Sequence, residues 1–244
     1  MNETLRIGTA GWSIPRIVAA QFPVEGTGLQ RYAARFNAAE INSSFYRPHK
    51  PATYARWAGS VPDGFRFAVK LPKTITHVAR LIDCAALLTP FAAEIAGLGE
   101  KRGPVLVQLP PKLEFDAAVA HEFFARASEV LDGAVVCEPR HASWFEAEAD
   151  ALLAEHRIAR VAADPARVPA GAVPGGWPGL AYFRLHGSPR PYFSGYEADA
   201  LAEWATLVPE GAETWVMFDN TASGRAAQDA LAFGALTGLR ATGN

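Results

Sequence analysis

Cysteine is scarce in this chain: 244 residues hold only Cys84 and Cys137, far apart and in no metal-binding spacing. That excludes a disulfide framework and a cysteine zinc site. Both thiols are expected to be reduced and buried in a cytoplasmic protein. Long apolar runs are also missing; the longest are too short and too interrupted to span a bilayer, so no membrane partner is expected. A charge excess is missing too. The net charge of -2 gives no basic field to draw in nucleic acid and no acidic tail to repel it. Met1 to Arg6 show no charged-then-apolar order, so no targeting signal is expected. No Gly-x-Gly-x-x-Gly follows the first predicted strand, no His-Glu-x-x-His occurs, and Ser43 and Ser44 sit in no nucleophile elbow.

What is present is a repeated pattern. Half of the residues are hydrophobic and 20% are charged, as in one soluble domain spanning 1–244. Short apolar runs end in polar residues or proline, and helical patterns follow them. Strands are predicted at Leu5 to Trp12, opening into a glycine-containing loop, and at Ala39 to Tyr46, Phe65 to Lys70, Val105 to Leu109, Val135 to Glu138, Ile158 to Asp164, Leu180 to Gly187 and Thr214 to Asp219. Helices are predicted at 29–36, 51–57, 91–98, 116–131, 147–156, 198–207 and 224–236. Prolines 165, 169, 174 and 178, among four glycines, forbid a regular helix after the sixth strand. Eight strands alternating with helices in this length predict an α/β fold, a single-domain (β/α)8 TIM barrel irregular at its sixth crossover.

Side chains alternate across a strand. Arg66, Ala68 and Lys70 share a face, as do Val136, Glu138 and Arg140, and as do Tyr182, Arg184 and His186. Glu40 and Asn42 oppose Ile41, and Asp164 aligns with Ala162. The bulky apolar faces should meet the helices. The polar faces should point inward, with their last members at the C-terminal mouth, where barrel enzymes keep their sites.

These residues compose a familiar series: Gly8-Thr9-Ala10-Gly11-Trp12, Glu40 to Tyr46, Phe65 to Lys70, Gln108-Leu109-Pro110-Pro111, Glu138 to Trp144, Arg184-Leu185-His186-Gly187 and Phe218-Asp219-Asn220-Thr221. In this order, from end to end, they resemble the YecE-like family, a domain family of unknown function. The resemblance implies a TIM barrel and supplies no reaction.

The mouth is expected to gather Glu40, Glu138, Asp164 and Asp219 with Lys70, Arg140 and Arg184, near His77, His141 and His186. A structural ion-pair network is the plain alternative, because buried charges must be paired whatever the function. Glu138, His186 and Lys70 are the candidate catalytic groups. Glu138 is the first choice for acid or base, with Arg140 and Lys70 holding it ionised or binding an anion. Lys70 could also form a Schiff base. Glu40, Asn42, Tyr46, Gln108, Arg140, His141, Trp144, Asp164, Arg184, Asp219 and Asn220 are candidates for substrate binding. No metal ligands are assigned, although acids from several strands leave room for a divalent metal. Loop aromatics flank the site, and Gly187 to Tyr196 is the best lid candidate.

The function this predicts is acid–base chemistry on a small polar, phosphorylated or carboxylated substrate, by an isomerase or hydrolase. Two alternatives stand beside it. One is a metal-assisted phosphoester hydrolase. The other is a non-catalytic barrel that binds an anion or nucleic acid, though the net charge does not support nucleic acid. The sequence does not fix an oligomeric state.

Overall fold

The structure, a computed structural model, describes residues 5–238. The outermost residues of the expected 1–244 domain lie outside that range. The fold is mixed α/β, with strands that are parallel apart from one short pairing. In chain order the elements are β1 (Leu5–Thr9), α1 (Gly28–Ala33), β2 (Ala38–Ile41), α2 (Pro51–Ala58), β3 (Arg66–Lys70), α3 (Ala85–Ile95), β4 (Arg102–Gln108), α4 (Ala117–Leu131), β5 (Val135–Glu138) and α5 (Ala147–Glu155). Then follow β6 (Ala159–Arg160), β7 (Ala162–Asp164), β8 (Gly175–Gly176), β9 (Leu180–Leu185), α6 (Ala198–Thr206), β10 (Glu213–Phe218) and α7 (Arg225–Leu236). No described helix is long and apolar enough to cross a membrane.

The strands form two sheets, ordered β1-β10-β9-β7 and β2-β3-β4-β5-β6-β8. The sheets approach each other at two places. At one seam Ala10 and Glu40 form a parallel bridge, and Gly11 N–H donates to Glu40 O at 2.8 Å. There Gly8 is obligatory, since a Cβ would lie 2.0 Å from Ala38 O. Tyr32 spans the same seam: its hydroxyl accepts from Thr9 N–H at 2.7 Å and donates to Ala38 O at 3.1 Å. At the other seam the expected sixth strand is split at Val161. Its first part pairs with β5 and its second with β9.

Other departures have local causes. The second strand stops at Ile41, because Ser44 Oγ bonds Ile41 O at 2.9 Å and Lys70 O at 2.6 Å and turns the chain into a short 3-10 helix. Helix α3 begins at Ala85 and carries Pro90 inside, earlier than the expected start at Phe91. The sixth crossover is irregular: a 3-10 turn at Pro169–Ala172, then β8 antiparallel to β6.

Two apolar clusters follow from the alternation of side chains. Between sheets and helices lie Ile41, Phe67, Val69, Val107, Cys137, Phe183 and Phe218 with the helical Leu88, Phe124 and Phe233. On the opposite strand faces, Ala38, Ala68, Leu106, Val136, Val161, Tyr182, Trp215 and Met217 fill the interior. The rings of Tyr182 and Trp215 stack there at 6.1 Å.

Candidate functional site

The polar residues that continue the inward faces converge at the C-terminal ends of the strands. Arg184, on β9, is fully buried and is their centre. Its Nη2 donates to Glu40 Oε1 at 2.7 Å and its Nε to Glu40 Oε2 at 3.0 Å. Its Nη1 reaches Glu138 Oε2 at 2.6 Å, and its Nη2 also reaches Asp219 Oδ2 at 2.9 Å. Tyr182, two residues earlier on the same face, donates its hydroxyl to Glu40 Oε2 at 2.9 Å.

Glu138 is the most heavily bonded of the acids. Gln108 Nε2 donates to both its oxygens at 3.0 Å. Arg140 folds back on its Oε1 through Nε at 3.0 Å and Nη2 at 2.9 Å. Burial pushes the Glu138 carboxyl up, but Arg184, Arg140 and His186 outweigh it and hold it well below the ordinary carboxylate range. A carboxylate so saturated is a poor proton carrier. It orients Arg140 and His186 instead.

His186 joins the acids. Its Nδ1 lies 3.1 Å from Asp219 Oδ2 and its Nε2 3.3 Å from Glu138 Oε1. Burial lowers its pKa, but Glu138 and Asp219 prevail, so the ring keeps its proton above the ordinary imidazole range. Asp219 is shifted the other way. Burial raises it, but Arg184, His186 and Lys70 bring it below the usual value.

Lys70 ends β3 and is 6% exposed. Its Nζ stands 4.3 Å from the centre of the Phe45 ring. Among the described residues it makes no hydrogen bond or close ion pair. Burial and the nearby Arg184 lower its pKa to about 8, against the pull of Glu40, Glu138 and Asp219. With His186 protonated, the cluster holds Glu40, Glu138 and Asp219 against Arg140, Arg184, His186 and Lys70. Asn42 touches the cluster at its limit, with Nδ2 3.5 Å from Asp219 Oδ1, and its own buried Oδ1 has no partner.

A cavity of about 430 Å³ opens beside the cluster. Glu138, Arg140 and His186 form its polar wall, Phe145, Ala163 and Tyr192 its apolar one, and Arg167 stands at its lip. Lys70, Asn42 and Asp219 belong to the cluster but do not line this cavity. Tyr192 comes from the Gly187 to Tyr196 loop; its ring meets the His186 ring edge-on at 5.6 Å, and its hydroxyl lies 3.5 Å from Arg140 Nη2.

Five expected site residues lie elsewhere. On the sixth strand it is Val161 and Ala163 that face inward, so Asp164 has the opposite parity and accepts from the Tyr196 hydroxyl at 2.7 Å. Asn220 follows Asp219 on the outward face, where its Nδ2 donates to Asp229 Oδ2 at 2.6 Å and to Ser194 O at 2.9 Å. Trp144 is buried against Phe115 and Phe124 and donates to Leu113 O at 3.0 Å. His141 caps the short turn after β5, with Nδ1 2.9 Å from Ser143 Oγ. Tyr46 is 70% exposed beside Phe45, past the turn that ends β2. His77, expected nearby, bonds Thr76 Oγ1 through Nδ1 at 2.8 Å.

Tyr182 and Arg167 join the site beyond the residues expected from the sequence. Alternation alone points to Tyr182, which shares a face with Arg184. Nothing in the sequence marks Arg167, because the irregular crossover places it. Among the described residues no three His, Cys, Asp or Glu side chains group to ligate a metal. In the cluster, each carboxylate is already paired with Arg184.

Known proteins share this arrangement of the chain. A family model described as "Protein of unknown function DUF72" matches residues 6–243. The UPF0759 protein YecE of Escherichia coli (strain K12) is 38% identical over 104 residues, which is 43% of this chain and 37% of that protein's length. The matched stretch thus spans little more than a third of that relative. A DUF72 family protein from Enterococcus faecalis superposes with a TM-score of 0.82 at 21% identity, covering 97% of this chain and 96% of the other. One from Thermotoga maritima gives 0.77 at 25% identity, covering 95% and 98%. A sugar phosphate isomerase/epimerase from Parabacteroides distasonis gives 0.54 at 13% identity, covering 94% and 92%, a likeness of fold alone.

Proposed function

From the premise that this chain belongs to the DUF72 family, we propose that it is an enzyme moving a proton on a small anionic substrate, a phosphorylated or carboxylated molecule of sugar size. In this reading the two sheets act as one closed barrel. The Ala10–Glu40 bridge joins one pair of edges, and the divided sixth strand joins the other. The site then lies where barrel enzymes carry out chemistry.

The observation that carries the reading is a buried lysine without a close partner, beside guanidiniums that face an open cavity. A purely structural network would balance itself, since an unpaired buried charge is costly. Here Lys70 stays without a close partner, and Arg140 and Arg167 face an open cavity. An anion supplies the partner. Arg140 and Arg167 bind its charged end, Tyr192 and its loop cover it, and Glu138 positions Arg140 and His186. His186, on the cavity wall, moves the proton, and Lys70 adds an unpaired positive charge in the cluster behind that wall. The fold-level likeness to a sugar phosphate isomerase/epimerase supports the same class by analogy. Isomerisation is favoured over hydrolysis, because each cluster carboxylate is engaged by a cation and none is free to activate water.

The test joins binding to chemistry. Sugar phosphates and sugar acids are screened by thermal shift on wild type and Arg140→Ala. A ligand so found is incubated in D₂O, and deuterium uptake next to its carbonyl is followed by NMR. The reading expects binding that Arg140→Ala weakens at least tenfold and exchange that His186→Asn abolishes. Ligands that stabilise wild type and Arg140→Ala equally would remove the cavity from consideration.

A further inference from the structure

At the opposite end of the strands lies a second cavity, also of about 430 Å³. Arg6 reaches it from β1, Arg66 from the first residue of β3 and Arg102 from the first residue of β4. Trp215 and Glu213, from β10, complete it. Among the described residues none of the three arginines forms an ion pair. Arg6 Nη1 donates to Gly64 O at 2.5 Å, Arg66 Nη1 to Asp63 O at 2.6 Å, and Arg102 Nη2 to Asp132 O. Arg6 Nε is buried and has no partner among the described residues. Among the described residues the one carboxylate in the lining, Glu213, accepts from Trp215 Nε1 at 2.9 Å.

We propose that this cavity binds a compact multivalent oxyanion, of which a diphosphate group is the best chemical match. Among the described residues, three guanidiniums face one carboxylate around a hollow open to solvent, an excess of two positive charges. Each guanidinium is a planar fork suited to two phosphate oxygens, and backbone carbonyls hold each one in place before a ligand arrives. An arginine kept for stability alone would find a carboxylate, as Arg160 does with Asp150 at 2.8 Å. Arg6 shows the cost of the present arrangement: burial first, then the neighbouring Arg66, lowers its pKa. A bound dianion would relieve that repulsion. The site is separate from the mouth cluster, so it does not depend on the reaction proposed above.

The probe is inorganic pyrophosphate, with orthophosphate for comparison. Binding is measured by calorimetry in the Arg140→Ala protein, so that the mouth does not contribute. Pyrophosphate should bind at least tenfold more tightly than orthophosphate. Its affinity should fall at least tenfold in Arg66→Gln and in Arg102→Gln, and should weaken as salt rises. Glu213→Gln, on an exposed residue whose amide oxygen can still accept from Trp215, should tighten it severalfold. Pyrophosphate failing to bind the Arg140→Ala protein, or binding that ignores the Arg66, Arg102 and Glu213 substitutions, would overturn the proposal.

Discussion

Arg184 and Glu40 form a two-point ion pair that no solvent reaches, at 2.7 and 3.0 Å. It links strands from the two different sheets. Removing one partner of a buried pair costs about 3–5 kcal/mol, because the other is left charged in a medium that cannot solvate it. Arg184→Met should reach the upper end of that range, since it also strips Glu138 and Asp219 of a partner. Urea unfolding measures it. A loss below about 1 kcal/mol would mean that the carboxylates take up protons or water at little cost.

Lys70 is held against its own interest. Its pKa in the fold is about 8, below the ordinary 10.5. The folded state therefore binds fewer protons than the unfolded chain between those values, and stability rises with pH across that window. At pH 7 the charged amine weakens the fold. Lys70→Met should stabilise the protein by on the order of 1–3 kcal/mol at pH 7, and the advantage should shrink as pH climbs past 8. Thermal melts of both proteins from pH 6 to 10 decide it. A variant less stable than wild type at pH 7 would contradict an unpaired ammonium.

His186 titrates in the other sense from its carboxylate partners. Its raised pKa contributes stability that is full below 6.5 and fades as pH rises through the folded value. Glu138 and Asp219 are shifted down, so their contribution is present above their ordinary values of 4.5 and 3.8 and is lost as pH falls through the folded ones. The stability difference between wild type and His186→Asn should therefore be largest near pH 6 and shrink on the alkaline side. A difference that grows with pH would show the ring to be neutral in the fold.

Tyr32 is the hydroxyl that ties β1 to β2. Tyr32→Phe leaves Thr9 N–H without this acceptor and Ala38 O without this donor. Each unpaired buried group costs about 1–3 kcal/mol. The variant should lose stability in that range and exchange the Thr9 amide faster, which hydrogen-exchange NMR can follow. An unchanged Thr9 amide would mean that the seam holds without the phenol.

The convergence of Lys70, Glu138, Arg184 and Asp219 was legible in the sequence because strict alternation carries along a regular strand. On the sixth strand the alternation holds, but the face is the other one: Ala159, Val161 and Ala163 point inward, while Asp164 shares with Ala162 the face that meets the helices. Asn220 followed Asp219 by one residue and so turned to the helices, as parity itself requires. Trp144, His141 and Tyr46 were drawn in by closeness in sequence to good candidates, but turns after β2 and β5 carry them off. The arginine cavity was invisible because Arg6, Arg66 and Arg102 are far apart in the chain and begin their strands instead of ending them.

The stacked rings of Tyr182 and Trp215, with the aliphatic side chains around them, have a consequence for traffic. In the closed barrel proposed above they would stopper the bore, so that each mouth is a blind alley and a molecule that enters by one leaves by the same door. A substrate of the proposed reaction would then pass the loop of Tyr192 on both arrival and departure, and an anion at the far entrance would neither block nor hasten that exit.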